Sequence, residues 1–334
     1  MILDNTELGE RTCKRILVTG GAGFIGSSLV DALMQSGNHR VTVLDNLSSG
    51  RLANLSFWID NPNFEFVQAD LTNLSSITDT VNRCDAVFHL AANPIVKIGT
   101  DTRIYYDQNV LSTYNLLDAM RNSKTCKKII FASTSTIYGE SKIMPTPENY
   151  APLQPISIYG GTKLACEAII SGFGHMFDIS CVTLRLANIV GEKSSHGIIH
   201  DFVIKLKENP RVLEILGDGK QMKSYLHIDD CISAMMFVLA RMGDWKFETF
   251  NVAPNDTINV IDIAEIVIEE LDLKEVALKF VNQFEGRGWK GDVKHYLLDS
   301  TKIESLGWSP RYNSCEAVRK ACYEHYKLQL VEPK

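Results

Sequence analysis

Long apolar runs are missing from this chain of 334 residues. No stretch reaches the roughly eighteen apolar residues of a membrane-spanning helix, so no membrane partner is expected. Basic character is missing too. Lys and Arg number 34 against 40 Asp and Glu, a net charge of −6, which argues against a nucleic-acid partner and the basic stripe it needs. An anionic small molecule stays open, because a phosphate needs only a few local positive groups. The first residues carry Asp4, Glu7 and Glu10 and no apolar core, so no signal peptide is expected. The eight cysteines (Cys13, Cys84, Cys126, Cys166, Cys181, Cys231, Cys315, Cys322) contain no C-x-x-C pair. No metal site is expected, and the thiols read as small hydrophobes in a reducing, cytoplasmic setting. Internal repeats and low-complexity tracts are absent, and 22% charged residues is ordinary for a globular chain.

What remains is a chain with 45% hydrophobic residues, long enough to bury a large core. Short β-rich runs alternate with amphipathic stretches. Ile16 to Thr19, Val41 to Leu44, Phe64 to Val67, Ala86 to Leu90, Ile129 to Ala132 and Cys181 to Leu184 read as strands. Helices are predicted over Ser27 to Gln35, Arg103 to Arg121 and Thr162 to Phe177. Strands separated by helices imply parallel pairing and right-handed crossovers. Continuous apolar strands fit a sheet covered on both faces. The expected fold is α/β: a Rossmann-type doubly wound parallel sheet with a smaller, mixed α/β C-terminal substrate lobe. Residues 15–186 plus about 224–254 are assigned to the sheet domain, and about 187–223 plus 255–330 to the lobe. In the second half Gly191 to Gly197 reads as a loop, Val212 to Leu216 as a strand, and Ile258 to Leu271 and Cys315 to Tyr326 as helices.

Glycines at 20, 23 and 26 follow the first strand and open the first helix. Gly20 permits the tight turn, Gly23 lets a pyrophosphate approach the backbone, and Gly26 lets the helix pack on the strand. The helix N-terminus then offers N–H groups and a positive dipole end to that anion. Asp45 ends the second strand, where a carboxylate accepts the ribose hydroxyls of NAD and repels the extra phosphate of NADP. Arg51, nearby, is the one group that favours the phosphate; Asp45 decides for NAD. Asp70-Leu71, after the third strand, reads equally as an adenine contact or as a helix cap at Asp70.

Tyr159 and Lys163 lie four apart, hence on one helical face. A phenol is a poor base at neutral pH. A neighbouring cation favours phenolate, which can then take a proton from a sugar hydroxyl. The same spacing also describes a surface pair. The catalytic reading is preferred because a dinucleotide fingerprint and a hydroxyl-rich strand end, Ser133 to Thr136, precede it. Those hydroxyls fall where open α/β sheets bind ligands, although β propensity alone would also place Thr and Ser there.

Together these residues resemble the extended short-chain dehydrogenase/reductase family, in particular its NAD-dependent sugar-nucleotide epimerases and dehydratases. Similar motifs include Gly20 to Gly26, Leu44-Asp45-Asn46-Leu47, His89-Leu90-Ala91-Ala92, Tyr106 to Val110, Tyr138-Gly139, Leu184 to Asn188, Gly217-Asp218-Gly219, Tyr225 to Asp230 and Gly291-Asp292. The resemblance covers nearly the whole chain after residue 14. It implies a cofactor site that also includes Phe24, Ile25, Asn46, Leu47, Ser49, Gly50, Leu90, Ala91 and Ala92, with Asn109 supporting the cofactor loop. It makes Tyr159 the acid/base and Lys163 the holder of the nicotinamide ribose, and puts Thr134 at the family's catalytic Ser/Thr position. Asn188 and Ser135 fall to the substrate, with Lys223, Arg287 and Tyr296.

The subclass follows from what stands after Thr134. The family's dehydratases carry an Asp-Glu pair there and its decarboxylases a Glu; here the residues are Ser135 and Thr136. Elimination lacks its acid/base pair, whereas epimerisation needs none. The resemblance therefore implies 4-epimerisation of a UDP-hexose, UDP-glucose to UDP-galactose, through a transient 4-keto sugar. Other reactions on a sugar nucleotide, or a non-catalytic NAD-binding regulatory protein, are the alternatives. Lys223 replaces the family's usual Arg and loses its bidentate fork. Gly99 replaces a small hydroxyl residue. Tyr296 stands where a bulky gate is associated with glucose and galactose rather than N-acetyl sugars. The helices around Arg103 to Arg121 and Thr162 to Phe177 resemble a pair that forms a four-helix homodimer interface.

Overall fold

The computed structural model describes residues 15–95 and 101–331; Cys13 and Gly99 lie outside the described residues. The amino-terminal half runs β1 (Arg15–Thr19), α1 (Phe24–Gln35), β2 (Arg40–Asp45), a 3₁₀ turn (Leu52–Trp58), β3 (Phe64–Gln68), α2 (Leu74–Asn82) and β4 (Ala86–His89). Next come α3 (Arg103–Tyr105), a π-helical turn (Tyr106–Leu111), α4 (Ser112–Asn122), β5 (Lys128–Thr134), α5 (Ile158–Phe177) and β6 (Ser180–Leu186). The rest comprises β7 (Asn188–Val190), α6 (Ile198–Glu208), β8 (Val212–Leu216), β9 (Met222–Lys223), β10 (Tyr225–His227), α7 (Ile228–Arg241) and β11 (Phe247–Val252). The chain ends with β12 (Ile258–Asn259), α8 (Val260–Glu270), β13 (Ala277–Val281), β14 (His295–Tyr296), α9 (Thr301–Glu304) and α10 (Ser314–Val331).

Seven parallel strands form the central sheet in the order β11-β6-β5-β4-β1-β2-β3. The order reverses between β1 and β4, which places a crevice outside their carboxyl ends. The central strands are apolar throughout because both faces are covered. Leu29, Val30 and Leu33 of α1 and Met235 and Val238 of α7 pack with Ile16, Val18 and Phe88 on one face. Leu116, Met120, Cys166 and Ile170 of α4 and α5 pack with Leu17, Val87 and Phe131 on the other. Phe88 and Phe131 are fully buried, each contributing about 2 kcal/mol of apolar transfer. A third cluster joins Phe202, Val203, Leu213, Ile215, Ile263, Val267, Val318 and Cys322 from α6, β8, α8 and α10.

Three departures from the sequence reading have local causes. Helix α5 begins a turn earlier than expected because Ser157 caps it, its hydroxyl accepting from the Gly160 N–H at 3.1 Å. Tyr159 therefore lies in the first helical turn. The stretch from Arg103 to Asn122 is interrupted by the π-helical turn, and Asn109 is inside it. The seventh strand, β11, went unpredicted: Phe247-Glu248-Thr249-Phe250-Asn251-Val252 sits at the sheet edge, too polar and short to show a clear period.

Candidate active site

The glycine turn is as tight as its sequence implies. Gly20 has φ +70°, and a Cβ there would lie 2.7 Å from the Ala91 nitrogen. At Gly26 a Cβ would lie 2.2 Å from the Gly20 carbonyl oxygen, so the helix could not approach the strand. Helix α1 starts at Phe24 and Ile25 with Gly23 as its cap and no side-chain cap bond, leaving its first N–H groups to an anion. Leu90, Ala91 and Ala92 follow β4 alongside this turn; the Leu90 N–H donates to the Thr19 carbonyl at 3.2 Å. From the other side, Ser49 and Gly50 belong to a loop that folds back, with the Arg51 N–H on the Ala22 carbonyl at 3.0 Å.

Asp45 is buried at the end of β2, and its carboxylate has a structural duty as well. It accepts from the Ala22 N–H at 2.9 Å and from the Leu47 N–H at 2.8 Å. The second bond holds Leu47 at φ +58°, a left-handed conformation that costs a non-glycine residue roughly 1 kcal/mol. Each carboxylate oxygen retains a lone pair for a ribose hydroxyl. Asp70 is neither free nor a helix cap. It accepts from Asn46 Nδ2 and from the Thr72 N–H, both at 2.8 Å, while Asn73 takes the cap position of α2. Its pKa is lowered: burial opposes the charge, and the bonds from Thr72 and Asn46 overcome it. Leu71 is buried behind it, and its carbonyl accepts from Asn115 at 2.8 Å. Asn109 is fully enclosed and ties three segments, accepting from the Asn93 N–H at 2.7 Å and donating to Thr162 of α5 at 3.0 Å.

Thr134 ends β5 and caps the 3₁₀ turn Ser135–Tyr138 by accepting from the Thr136 N–H at 3.2 Å. Its hydroxyl also lies close to the Tyr159 phenol, an interaction that favours the phenolate. Burial is the larger effect and pushes the Tyr159 phenol up to about 12, although part of the residue remains exposed. Lys163 is almost wholly buried, its ammonium 4.2 Å from the centre of the Phe131 ring. Burial brings its pKa down to about 8. The sequence reading expected the ammonium to lower the phenol; in the protein alone, desolvation of both groups dominates. The two groups start from nearly equal values and burial drives them apart, so in the protein alone the phenol keeps its proton and the ammonium is the stronger acid of the two. His89, beneath, is held neutral, its pKa pushed down to about 3 by burial with Lys163 beyond it.

The substrate-side candidates converge less uniformly. Tyr296 is buried; its hydroxyl donates to the Ser224 carbonyl at 3.5 Å and lies near Ser135 and the Asn188 backbone. Asn188 in turn bonds Tyr225. Lys223, by contrast, is paired with Asp292 at 2.6 Å, and Arg287 with Glu140 at 2.6 Å. Both cations thus have carboxylate partners that a bound diphosphate would have to displace. Sequence reasoning missed Asp292 and Glu140 as these partners, and missed Glu167, to which Ser133 donates. The signal was there for one of them: Arg185 is a cation inside an apolar strand and demands a buried anion. Among the described residues no cluster suits a metal ion, and no helix is long and apolar enough to cross a membrane.

A parallel sheet of this order, with a glycine turn opening its first helix and a Tyr-Lys pair beside the strand end, defines an extended short-chain dehydrogenase/reductase. Residues 16–253 match the NAD dependent epimerase/dehydratase family, and the chain belongs to it. It is 31% identical over 314 residues to the UDP-glucose 4-epimerase of Mycolicibacterium smegmatis, covering 92% of this chain and 96% of that one. A solved UDP-galactose 4-epimerase superposes with a TM-score of 0.84 at 39% identity, over 94% of this chain and 99% of the other. The UDP-glucuronic acid 4-epimerase of Bacillus cereus, solved with UDP-glucuronic acid and NAD, gives a TM-score of 0.85 at 29% identity over 94% and 99%. NAD is the cofactor. The chain's own features fit it: an uncapped helix start at a glycine turn for the pyrophosphate, and a buried Asp45 with spare lone pairs for the ribose.

Proposed function

We propose that the protein interconverts UDP-glucose and UDP-galactose by epimerisation at C4 of the sugar. One observation carries the choice of reaction. The shelf at the end of β5 offers the sugar only hydroxyls, from Thr134, Ser135 and Thr136, and the carboxylate reached by that strand, Glu167, is bound to Arg185 at 2.8 Å. A reaction that eliminates water or carbon dioxide has no free acid there. Bound NAD supplies a reversible hydride acceptor and so leaves the reaction redox-neutral overall. Tyr159 Oη takes the proton of the C4 hydroxyl and returns it to the 4-keto sugar's oxygen. Thr134 orients that oxygen, and Lys163 holds the ribose and keeps positive charge near the phenol. Tyr296 closes the sugar pocket as a bulky gate, which supports glucose and galactose over N-acetyl sugars. Lys223 and Arg287, once released by Asp292 and Glu140, hold the diphosphate with Asn188.

The same reading assigns residues 15–186 and about 224–254 to the NAD-binding domain and the remainder to the substrate lobe. It places a homodimer interface on α4 and α5, where Tyr114 and Met176 are exposed, and the enzyme in the cytoplasm. The test is chromatography of products after the purified protein, with no cofactor added, is incubated separately with UDP-galactose, UDP-glucuronic acid and UDP-N-acetylglucosamine. UDP-glucose from the first is the expected result. Turnover of the second or third alone would move the assignment to a uronate or N-acetylhexosamine epimerase. A 4-keto-6-deoxy product would make it a dehydratase, and bound NAD without turnover on any sugar would leave a regulatory protein.

A further inference from the structure

Helix α5 presents Tyr159, Lys163 and Glu167 on successive turns of its sheet-facing side. The first two belong to the reading above; the third is given no role by it. Its carboxylate lies between two strands. Ser133, the residue before Thr134 on β5, donates its hydroxyl to Glu167 Oε1. Arg185 of β6, paired in register with Ser133, places Nη2 at 2.8 Å from Oε2 and Nε at 3.2 Å from Oε1. The network then leaves the helix. Arg185 Nη1 donates to the Tyr138 hydroxyl and to the Glu148 carbonyl, both at 2.8 Å. The Tyr138 hydroxyl donates to Asn251 Oδ1 at 2.8 Å. The Asn251 amide donates to the Thr146 and Asp299 carbonyls at 2.9 and 3.0 Å. Arg185 is 6% exposed, Tyr138 2% and Asn251 not at all, so these bonds form away from competing water.

We propose that Glu167 is a positioning residue: through Ser133 and Arg185 it fixes α5 against the end of β5 and so sets the contact between the Thr134 hydroxyl and the Tyr159 phenol. The geometry leaves little alternative purchase. The residue that carries the catalytic hydroxyl is covalently next to the one that Glu167 grips, and the residue that carries the phenol is two turns, about 12 Å, along the same helix. A helix can slide or rotate on an apolar sheet face at small cost, since side chains slip from one groove to the next. A buried hydrogen-bonded ion pair has one geometry and forbids the slip. Glu167 also acts electrostatically on the site, because its charge favours the ammonium form of Lys163.

This inference rests on the proposed roles of Tyr159 and Thr134, and its test separates the two. Ser133→Ala removes one donor and leaves the ion pair; Ser133→Thr restores the donor; Glu167→Gln removes the charge at constant size. With the NAD-bound enzyme and UDP-galactose, Ser133→Ala is expected to lower kcat about tenfold with KM changed less than about twofold, since a misplaced acid/base costs turnover rather than binding. Ser133→Thr is expected to recover kcat to within about twofold. Glu167→Gln is expected to lower kcat further and to move the alkaline limb of the kcat/KM profile to lower pH, because Lys163 loses its proton more easily. A merely structural defect would not move that limb. If Glu167→Gln does not fold, the Ser133 pair decides alone, and Ser133→Ala with wild-type kcat overturns the proposal.

Should the wild-type enzyme turn over none of the sugar nucleotides, the substrate assignment falls, and positioning is read from the phenol itself. Tyrosinate absorbance of each NAD-bound protein is titrated against the same protein carrying Tyr159→Phe. Loss of the Thr134 contact in Ser133→Ala shifts the Tyr159 titration to higher pH. Coincident titrations overturn the proposal.

Discussion

Two buried histidines show how differently the two sides of this molecule are built. His89, on β4 beneath the cofactor cleft, meets hydroxyls: Thr19 Oγ1 at 2.8 Å and Thr113 Oγ1 at 2.9 Å. His227, where β10 runs into α7 beside α10, meets carboxylates: Glu324 at 3.1 Å and Asp229 at 3.4 Å. Neither side chain is exposed at all. The contrast extends outwards. The shelf proposed to be catalytic carries Thr134, Thr136 and Tyr159, neutral groups whose protons can move. The carboxyl-terminal side is laced with ion pairs, Lys223 with Asp292, Arg287 with Glu140, and Arg311 with Asp230. A site that relays a proton gains from hydroxyl groups that can both give and accept one. A site that takes up an anion gains from cations kept soluble in the interior by partners that can be exchanged. The cofactor side has ion pairs too, Arg15–Asp85 and Arg83–Glu65 at its partly exposed edges and Glu167–Arg185 within, and the buried one lies behind the reacting groups rather than among them.

The sharpest way to break the comparison is to remove one proton from the shelf. Tyr159→Phe keeps the ring and its packing and deletes the proposed acid/base. Turnover should fall about 10³-fold while bound NAD, read from absorbance of the purified protein, stays at the wild-type level. A variant with more than a tenth of wild-type kcat would take Tyr159 out of the chemistry.

On the other side, Lys223→Ala should act through stability and binding instead. It leaves the Asp292 carboxylate, 4% exposed, without its cation. Breaking such a pair costs about 3 kcal/mol, measured by denaturant unfolding. Removing both partners in Lys223→Ala, Asp292→Ala should return most of that stability, because no buried charge is left unpaired. The KM defect for UDP-galactose should persist in the double variant while kcat changes little. A kcat loss larger than the KM change would mean that the two sides are not divided as described.

The cofactor side was legible in the sequence to a degree that the other was not. Glycines at 20, 23 and 26, the strand runs and the Tyr159–Lys163 spacing each obey a local rule, and local rules are written in adjacent residues. The ion pairs obey none. Lys223 meets Asp292 and Arg287 meets Glu140 across 69 and 147 positions of chain, so only the tertiary fold brings them together. The short strands β9, β10, β12 and β14 went unread for the same reason: two or three residues show no period, and each exists because a neighbour pairs with it. Seven-residue β5, flanked by helices on both faces, needed no such help. What local reading lost even on the cofactor side was protonation: the spacing of Tyr159 and Lys163 is a sequence fact, but the depth at which they are buried is not.

The histidines give the comparison its smallest and most specific test, because their effects on stability have opposite signs. Burial holds the folded pKa of His89 near 3, below its ordinary value of 6.5. Between those values the unfolded chain binds a proton that the folded one refuses. The stability that His89 contributes is whole above pH 6.5 and drains as pH falls, by at most about 1.4 kcal/mol per pH unit. For His227 burial works against the charge, and the bonds to Asp229 and Glu324 outweigh it, so the folded pKa is raised above 6.5. Here the folded chain binds the extra proton. The contribution is whole below pH 6.5 and is lost as pH rises through the folded value. Unfolding by denaturant across a pH series should show both limbs. His89→Asn should flatten only the acid limb and His227→Gln only the one above 6.5. If instead both variants flatten the same limb, the two histidines share one electrostatic setting, and the distinction between a neutral cofactor side and an ion-paired carboxyl-terminal side does not hold.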